Sequence, residues 1–192
     1  MADCARALGY DDDNVVIALA QAEWEASEEK IQQSFAEADY WILKFEEYPY
    51  ATYIWLFLTR ELGYSDIVAA GILGNMMAEV GGGTLHIQYW LYSYNGGYYY
   101  GICQWAKDYF PEVRGKDLID QCEYLAYNIE AQIDMFGYAY SKDYKFEDFL
   151  QLKTTDESAL MFAKTYERCN SASYGLRQSY ARIAYDYFTG LN

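Results

Sequence analysis

Glu79 stands at the end of a predicted helix in the stretch "AAGILGNMMAEVGGG", residues 69–83, just before three glycines. A carboxylate is disfavoured there, because the last carbonyls of a helix carry partial negative charge. In a continuous helix, Asn75 and Glu79 share a face with apolar side chains, which remove water from the carboxyl group. Both effects favour the neutral acid. Such an acid can protonate the departing oxygen of a glycosidic bond; the alternative is a frayed, solvated helix end.

A second stretch, "YYYGICQWAKDYF" over residues 98–110, combines an amide with aromatic rings. Sugars present CH faces and hydroxyl groups, so a neutral hydrogen-bonding side chain beside flat rings suits them. The Gly-x-x-Gln-Trp pattern is weak evidence by itself. The candidates for substrate contact in this stretch are Tyr99, Tyr100, Gln104 and Trp105.

Other catalytic chemistries find less support in the residue types. The chain has one histidine, His86, and lacks a Gly-x-Ser-x-Gly motif, so a Ser-His-Asp triad is disfavoured. A Cys103 nucleophile with His86 as base would make a peptidase or amidase, but no local signature accompanies this pair. No HExxH motif or ligand cluster is present, so we predict no catalytic metal and no cofactor. Asp108 is the nearest candidate for a second carboxylate, although a surface position beside Lys107 is the better interpretation.

Charge and composition exclude several classes of partner. The chain has 192 residues, a formal net charge of -15 and 23 tyrosines, which suit packing and also contact with carbohydrate or protein. The negative charge argues against binding to nucleic acid or anionic lipid. The sequence contains no run of about 18 apolar residues, so it predicts no membrane-spanning helix. Acidic residues 11–13 precede the apolar run 15–20, the reverse of a signal peptide, so we expect synthesis in the cytoplasm. The four cysteines form no CxxC pair and are expected to be reduced.

The elements that must position these residues are mostly helical. Residues 14–46 predict one acidic helix, and a second runs from about Thr52 to Leu62 and closes with Gly63. Ser65 caps a third helix, which ends at Glu79. Asn95-Gly96 predicts a hairpin with two short strands inside residues 84–100.

The second half of the chain returns to helical spacing. Thr154 with Glu157 fits a capping box that opens a helix through Tyr166. One predicted apolar stripe consists of Leu118, Cys122, Leu125, Ile129 and Ile133, and the last helix carries Leu176, Tyr180, Ile183 and Tyr187 on one face before Gly190. The sequence therefore predicts a mostly helical α+β fold with one small β-hairpin. We expect an acidic helical extension over residues 1–50 and a catalytic domain over residues 51–192.

Several segments taken in order resemble the phage tail lysozyme family, a group of lysozyme-like modules that open a hole in peptidoglycan during infection. The segments are "IWLFLTRELGYSDIVAAGILGNMMAEVGG", "YYGICQW", "DQCEYLAYNIEAQI" and "FAKTYERC", followed by a closing helix that contains arginine. The resemblance extends from about Tyr53 to Phe188, and "AAGILGNMMAE" and "YGICQW" are its most specific parts.

The resemblance implies a lysozyme-like fold and makes Glu79 the match to the catalytic acid of the family. It aligns Gln104 and Trp105 with the cleft motif, and Asn75 and Tyr166, which lie within the matching segments, are further candidates for substrate contact. Glu167 and Arg168 match a late Glu-Arg element, which we interpret as structural. Family members usually carry a small hydroxyl residue after the catalytic glutamate, whereas this chain has Val80, which removes one hydrogen bond near the acid.

The implied activity is cleavage of peptidoglycan glycan strands by a protein of phage or mobile-element origin, as a muramidase or a lytic transglycosylase. The implied partners are the glycan strands and other phage tail proteins, and the expected location is the virion or, after release, the cell wall. The alternative is a lysozyme-like module that binds glycan or a partner protein without cleaving it. Val80 and the strong negative charge leave this alternative open.

Overall fold

The computed structural model describes residues 37–93 and 96–190. Contacts between residues divide the chain into two units, Met1–Leu43 and Lys44–Asn192. The described part of the first unit, residues 37–43, is helical. The part of the predicted acidic helix before residue 37 lies outside the described residues, and the domain boundary at residue 50 stays a prediction.

Helices dominate the second unit, and its one described sheet has two short antiparallel strands, which confirms the predicted mostly helical α+β fold. Residues 44–47 are helical. The α-helices after them are α1 (Pro49–Leu56), α2 (Asp66–Val80), α3 (Leu118–Phe136), α4 (Phe146–Leu150), α5 (Thr155–Phe162) and α6 (Tyr174–Thr189). The strands are β1 (Tyr99–Tyr100) and β2 (Trp105–Ala106). The 3₁₀ turns are Pro111–Val113, Gly137–Ala139 and Ser171–Ser173, and the π-helical turns are Phe57–Glu61 and Ala163–Glu167.

Helix α2 is the central element of this unit, because it packs most extensively against α5 and α6. The Ser65 hydroxyl caps it by accepting a hydrogen bond from the backbone nitrogen of Val68, as predicted. Residues 68–77 are all buried. Two glycines permit close approach of two other helices: Gly71 faces Ser158 of α5, and Gly74 faces the backbone of Ala181 in α6.

Other local predictions are confirmed in the same way. The Thr154 hydroxyl accepts a hydrogen bond from the backbone nitrogen of Glu157 at 3.2 Å and caps α5. Gly63 adopts a positive φ of 68°, which ends the turn after α1. The predicted apolar stripe of α3 is buried at every position, namely Leu118, Cys122, Leu125, Ile129 and Ile133. None of the helices in the described ranges combines the length and the apolar character needed to cross a membrane.

The predicted hairpin is confirmed in part. Around the predicted turn, Tyr92 and Tyr100 form an antiparallel bridge, and the Ser93 backbone nitrogen donates to the Tyr99 carbonyl at 3.1 Å. The two named strands, however, meet one turn further on, where Tyr100 pairs with Trp105 across a turn that begins at Gly101. A buried glutamine, Gln121 of α3, explains the preference: its Oε1 accepts a hydrogen bond from the backbone nitrogen of Ile102 at 2.9 Å and fixes this turn.

The predicted apolar face of α6 is not its buried face. Leu176 and Ile183 are about half exposed. The residues that α6 buries are Arg177, Ala181, Ala184 and Phe188. The buried face contains an arginine, Arg177, so the spacing of apolar residues does not reveal it. Burial of Arg177 depends on its partners in other helices.

Replacing Gly74 with alanine should destabilise the fold. The new Cβ would lie 2.5 Å from the backbone nitrogen of Ala181, which cannot rotate away. Such overpacking costs about 1–3 kcal/mol, more than the roughly 1 kcal/mol that alanine gains in helix propensity. The control is Gly175→Ala in α6, where no heavy atom lies within 4 Å of the new Cβ. Urea unfolding should show a lower free energy of unfolding for Gly74→Ala alone; equal values for both variants would contradict the close packing.

Candidate active site

A cleft of about 800 Å³ opens between the end of α2, the β1–β2 hairpin and the π-helical turn after α5. It brings together most of the residues that the sequence singled out. Its lining includes Glu79, Tyr99, Gln104, Trp105, Tyr166 and Glu167. Two of these come from the hairpin turn and its second strand, which Gln121 holds in place from α3.

Glu79 sits one residue before the end of α2 and forms an ion pair with Arg177 of α6. The Arg177 Nη2 donates to Glu79 Oε1, and its Nη1 donates to Asn75 Oδ1 at 3.0 Å. Its Nε donates to the hydroxyl of Ser173 at 3.2 Å. The side chains of Arg177 and Glu79 are only 6% and 20% exposed, so water and salt screen this pair weakly.

The guanidinium group changes the electrostatic argument made from the sequence. Besides its apolar neighbours and the end of the α2 dipole, the Glu79 carboxyl has the positive charge of Arg177 in direct contact with it. Local sequence patterns contain no sign of this contact, since the two residues are 98 positions apart.

Glu167 is a second carboxyl group in the same cleft. It ends the π-helical turn Ala163–Glu167, and Arg168 follows in a left-handed conformation with a φ of 52°. Its Oε1 is buried and has no hydrogen-bond partner. Burial raises the pKa of Glu167 well above its usual range, and the negative charge of Glu79 acts in the same direction. Sequence analysis treated this glutamate as structural, although the matched Glu-Arg motif was the signal that could have placed it in the cleft.

Trp105 and Tyr166 form a hydrogen-bonded wall of the cleft. Trp105 Nε1 donates to the Tyr166 hydroxyl at 3.0 Å, and that hydroxyl donates to Asn128 Oδ1 at 2.7 Å. Tyr166 also stacks on Phe162, with ring centroids 4.6 Å apart. Both rings are less than 7% exposed, so their polar tips serve the wall itself.

Gln104 is oriented by the hairpin turn. Its φ of 46° lies in the left-handed region, which is uncommon for a residue with a side chain. The amide Nε2 donates to the carbonyls of Leu91 and Gly101 at 3.0 and 3.1 Å. With both amide hydrogens used in this way, the amide oxygen is the atom that Gln104 can offer to a ligand hydroxyl.

More exposed rings complete the cleft. Tyr99, which the sequence singled out, is 40% exposed. Tyr92 and Tyr109 also line the cleft, at 43% and 76% exposed, and sequence analysis did not select them. The signal for Tyr109 was its place in the stretch that contains Gln104, five residues after it.

The structure does not bring Asn75 or Tyr100 to the lining of the cleft. Asn75 is fully buried, and its Nδ2 donates to the carbonyls of Gly71 and Ala159 while its Oδ1 accepts from Arg177. Tyr100 is 4% exposed, and its hydroxyl donates to the carbonyl of Lys116 at 2.7 Å. Asn75 thus supports the ion pair of Glu79 from behind.

The alternative residues are distributed elsewhere. Asp108 is exposed and accepts a hydrogen bond from the Tyr98 hydroxyl at 3.0 Å, away from the cleft lining. Cys103 lines the cleft, where burial raises the pKa of its thiol well above the usual range, whereas His86 lines a separate pocket beside Tyr48. The structure therefore does not pair the thiol with the imidazole. Among the described residues, no group of three or more His, Cys, Asp or Glu is placed to hold a metal ion.

Comparison with known proteins gives one family. The sequence profile described as phage tail lysozyme matches residues 49–188, about three quarters of the chain. This match confirms the resemblance inferred from the sequence motifs and includes both cleft glutamates and Arg177. No curated protein sequence matches the chain.

Replacing Glu167 with glutamine should change how stability depends on pH. The carboxyl has a raised pKa in the folded protein, whereas an unfolded glutamate has a pKa of about 4.3. As pH rises above that value, the unfolded state releases a proton that the folded state keeps, so the wild type loses stability. Glu167→Gln removes this loss. Relative to the wild type, its free energy of unfolding in urea should therefore be more favourable at neutral pH than at acidic pH; a constant difference would contradict the assignment.

Proposed function

The chain belongs to the phage tail lysozyme family, and on this basis we propose that it cleaves the glycan strands of bacterial peptidoglycan with Glu79 as the general acid. One observation carries the proposal: the Glu79 carboxyl, at the end of a buried helix, opens into a cleft that also presents an amide and aromatic rings. A cleft of about 800 Å³ has the size of a typical ligand site and suits several atoms of a sugar chain.

The chemical step requires a proton on Glu79. As the glycosidic C–O bond breaks, this proton moves to the departing oxygen, and Glu79 becomes a carboxylate. Arg177 stabilises the negative charge that forms at that moment, and it does so without reorganisation because Asn75 and Ser173 already fix its guanidinium. The same contact holds the carboxyl in one orientation toward the cleft.

Two groups can complete the reaction. Attack by water gives a reducing sugar and makes the protein a muramidase; attack by a hydroxyl of the sugar itself gives an anhydro product and makes it a lytic transglycosylase. Asp108 lies outside the cleft lining and does not serve as the base in this scheme.

The proposal extends to the place of action. Because the family consists of phage tail proteins, we expect the enzyme to be part of the virion, where it would contact other tail proteins and reach the cell wall. In this arrangement, residues 51–192 are the catalytic domain, and residues 1–50 are an acidic extension.

Replacing Glu79 with glutamine should abolish cleavage. The amide keeps the size of the side chain but has no acidic proton to donate, and a positioned general acid contributes about 10²–10⁴-fold to the rate. The loss of turbidity of purified peptidoglycan should therefore slow by at least about 100-fold. The matched control is Glu130→Gln, which makes the same chemical change at an exposed position of α3 and should leave the rate unchanged.

Mass spectrometry of the released fragments separates the remaining outcomes. Reducing or anhydro sugar ends support a glycan-strand cleavage, whereas free peptide fragments would indicate an amidase and overturn the proposal. Equal clearance by the wild type and Glu79→Gln would show that Glu79 is not the acid. If neither protein releases fragments but both sediment with peptidoglycan, the chain is a non-cleaving binding module.

A further inference from the structure

The carboxyl of Glu167 is an unexplained polar group in the cleft. Its Oε1 is buried without a hydrogen-bond partner, although buried polar atoms in folded proteins nearly always have one. The chain around it is firmly held: Tyr166 is fixed by two hydrogen bonds, and the π-helical turn ends at Glu167. The position is therefore a defined part of the site.

The charges around Glu167 come from three other elements. Glu79 on α2 opposes its ionisation, whereas Arg177 on α6 and the neighbouring Arg168 favour it. The Cys103 thiol in the hairpin turn interacts with the carboxyl, and Cys169 lies within electrostatic range. Arg177, which is paired directly with Glu79, is the buried cation of this group.

Two carboxyl groups beside one buried guanidinium favour the retention of a single proton. With both carboxyls ionised, these two groups and Arg177 carry a net charge of minus one in a region that water solvates poorly; Arg168 is exposed, so water screens its charge. One proton makes the group neutral, which is the favoured state for buried charges. Two carboxyls that interact in this way titrate as a pair, so the proton belongs to both.

We infer that Glu79 and Glu167 act as a pair that retains one proton, and that Glu167 is the positioning residue that keeps this proton available to Glu79 in the presence of Arg177. This inference rests on the proposed function, in which Glu79 is the acid. Glu167, whose buried carboxyl has a raised pKa, holds the proton when Glu79 is ionised. Glu79 delivers the proton of the pair to the departing oxygen. The attacking water or hydroxyl then releases a proton to the pair, which therefore ends the reaction with one proton, as it began.

The pH dependence of kcat/KM on purified peptidoglycan tests the inference. In Glu167→Gln, the decline of activity on the alkaline side should begin at a pH lower by about one unit, the strength of interaction above which two carboxyls titrate as a pair. Activity at acidic pH should be retained. Glu167→Asp, which keeps the carboxyl, should restore the alkaline side of the profile. A loss that is equal at every pH, with an unchanged profile, would mean that Glu167 is only structural.

A titration without substrate separates this inference from the proposed function. In protein labelled with ¹³C at the glutamate carboxyls, the Glu167 signal, assigned with Glu167→Asp, should titrate at a higher pH than the exposed Glu130. In Glu79→Gln the Glu167 signal should move to a lower pH, because the negative charge beside it is removed. An unshifted signal in Glu79→Gln would overturn the pairing even in an active enzyme. A coupled titration in a protein that does not cleave peptidoglycan would overturn the proposed function and leave the pairing standing.

Discussion

The buried ion pair between Glu79 and Arg177 is the interaction on which the site depends. A guanidinium taken out of water is tolerated only when it is paired and hydrogen-bonded, and Arg177 meets both conditions through Glu79, Asn75 and Ser173. These partners lie on α2 and at the start of α6, so the two helices must approach closely. Gly74 makes that approach possible, because a side chain there would collide with the backbone of α6. Helix packing and the orientation of the carboxyl are therefore parts of one constraint.

Local signals were sufficient for much of the fold. Ser65 and Thr154 cap their helices as predicted, because a cap depends only on the next three residues. The hairpin was predicted only in part for the opposite reason: the two named strands meet across a turn that Gln121 holds from a distant helix, whereas Asn95-Gly96 is a strong signal only locally. The buried face of α6 was missed because Arg177 lies in it, and apolar spacing does not include a charged residue whose partner is elsewhere in the chain.

The candidate site was predictable to the extent that short motifs carried it. Glu79, Gln104, Trp105 and Tyr166, which the sequence singled out, line one cleft, and their roles in binding or cleavage stay predictions. Asn75 shares a face with Glu79, but that face is buried, and its amide supports Arg177 instead of reaching the cleft. Spacing along one helix shows which side chains are neighbours and does not show which of them the next helix will cover. The electrostatic interaction of Glu167 with the charges of α2 and α6 depends on tertiary packing and could not be derived from spacing.

The π-helical turn at Ala163–Glu167 has a consequence for how this sequence can vary. A π turn contains one residue more than the α-helical turn it replaces. Five residues of π-helix sweep roughly the same angle as four residues of α-helix, so the wider turn takes up one extra residue and leaves Glu167 facing in nearly the direction it would have after a regular turn. A further residue inserted into the regular part of α5 would instead rotate the second carboxyl by about 100°, away from its neighbours, without exchanging any side chain. The turn has thus already absorbed one extra residue, and the length of chain before Glu167 is under a stricter constraint than the identity of most residues in it.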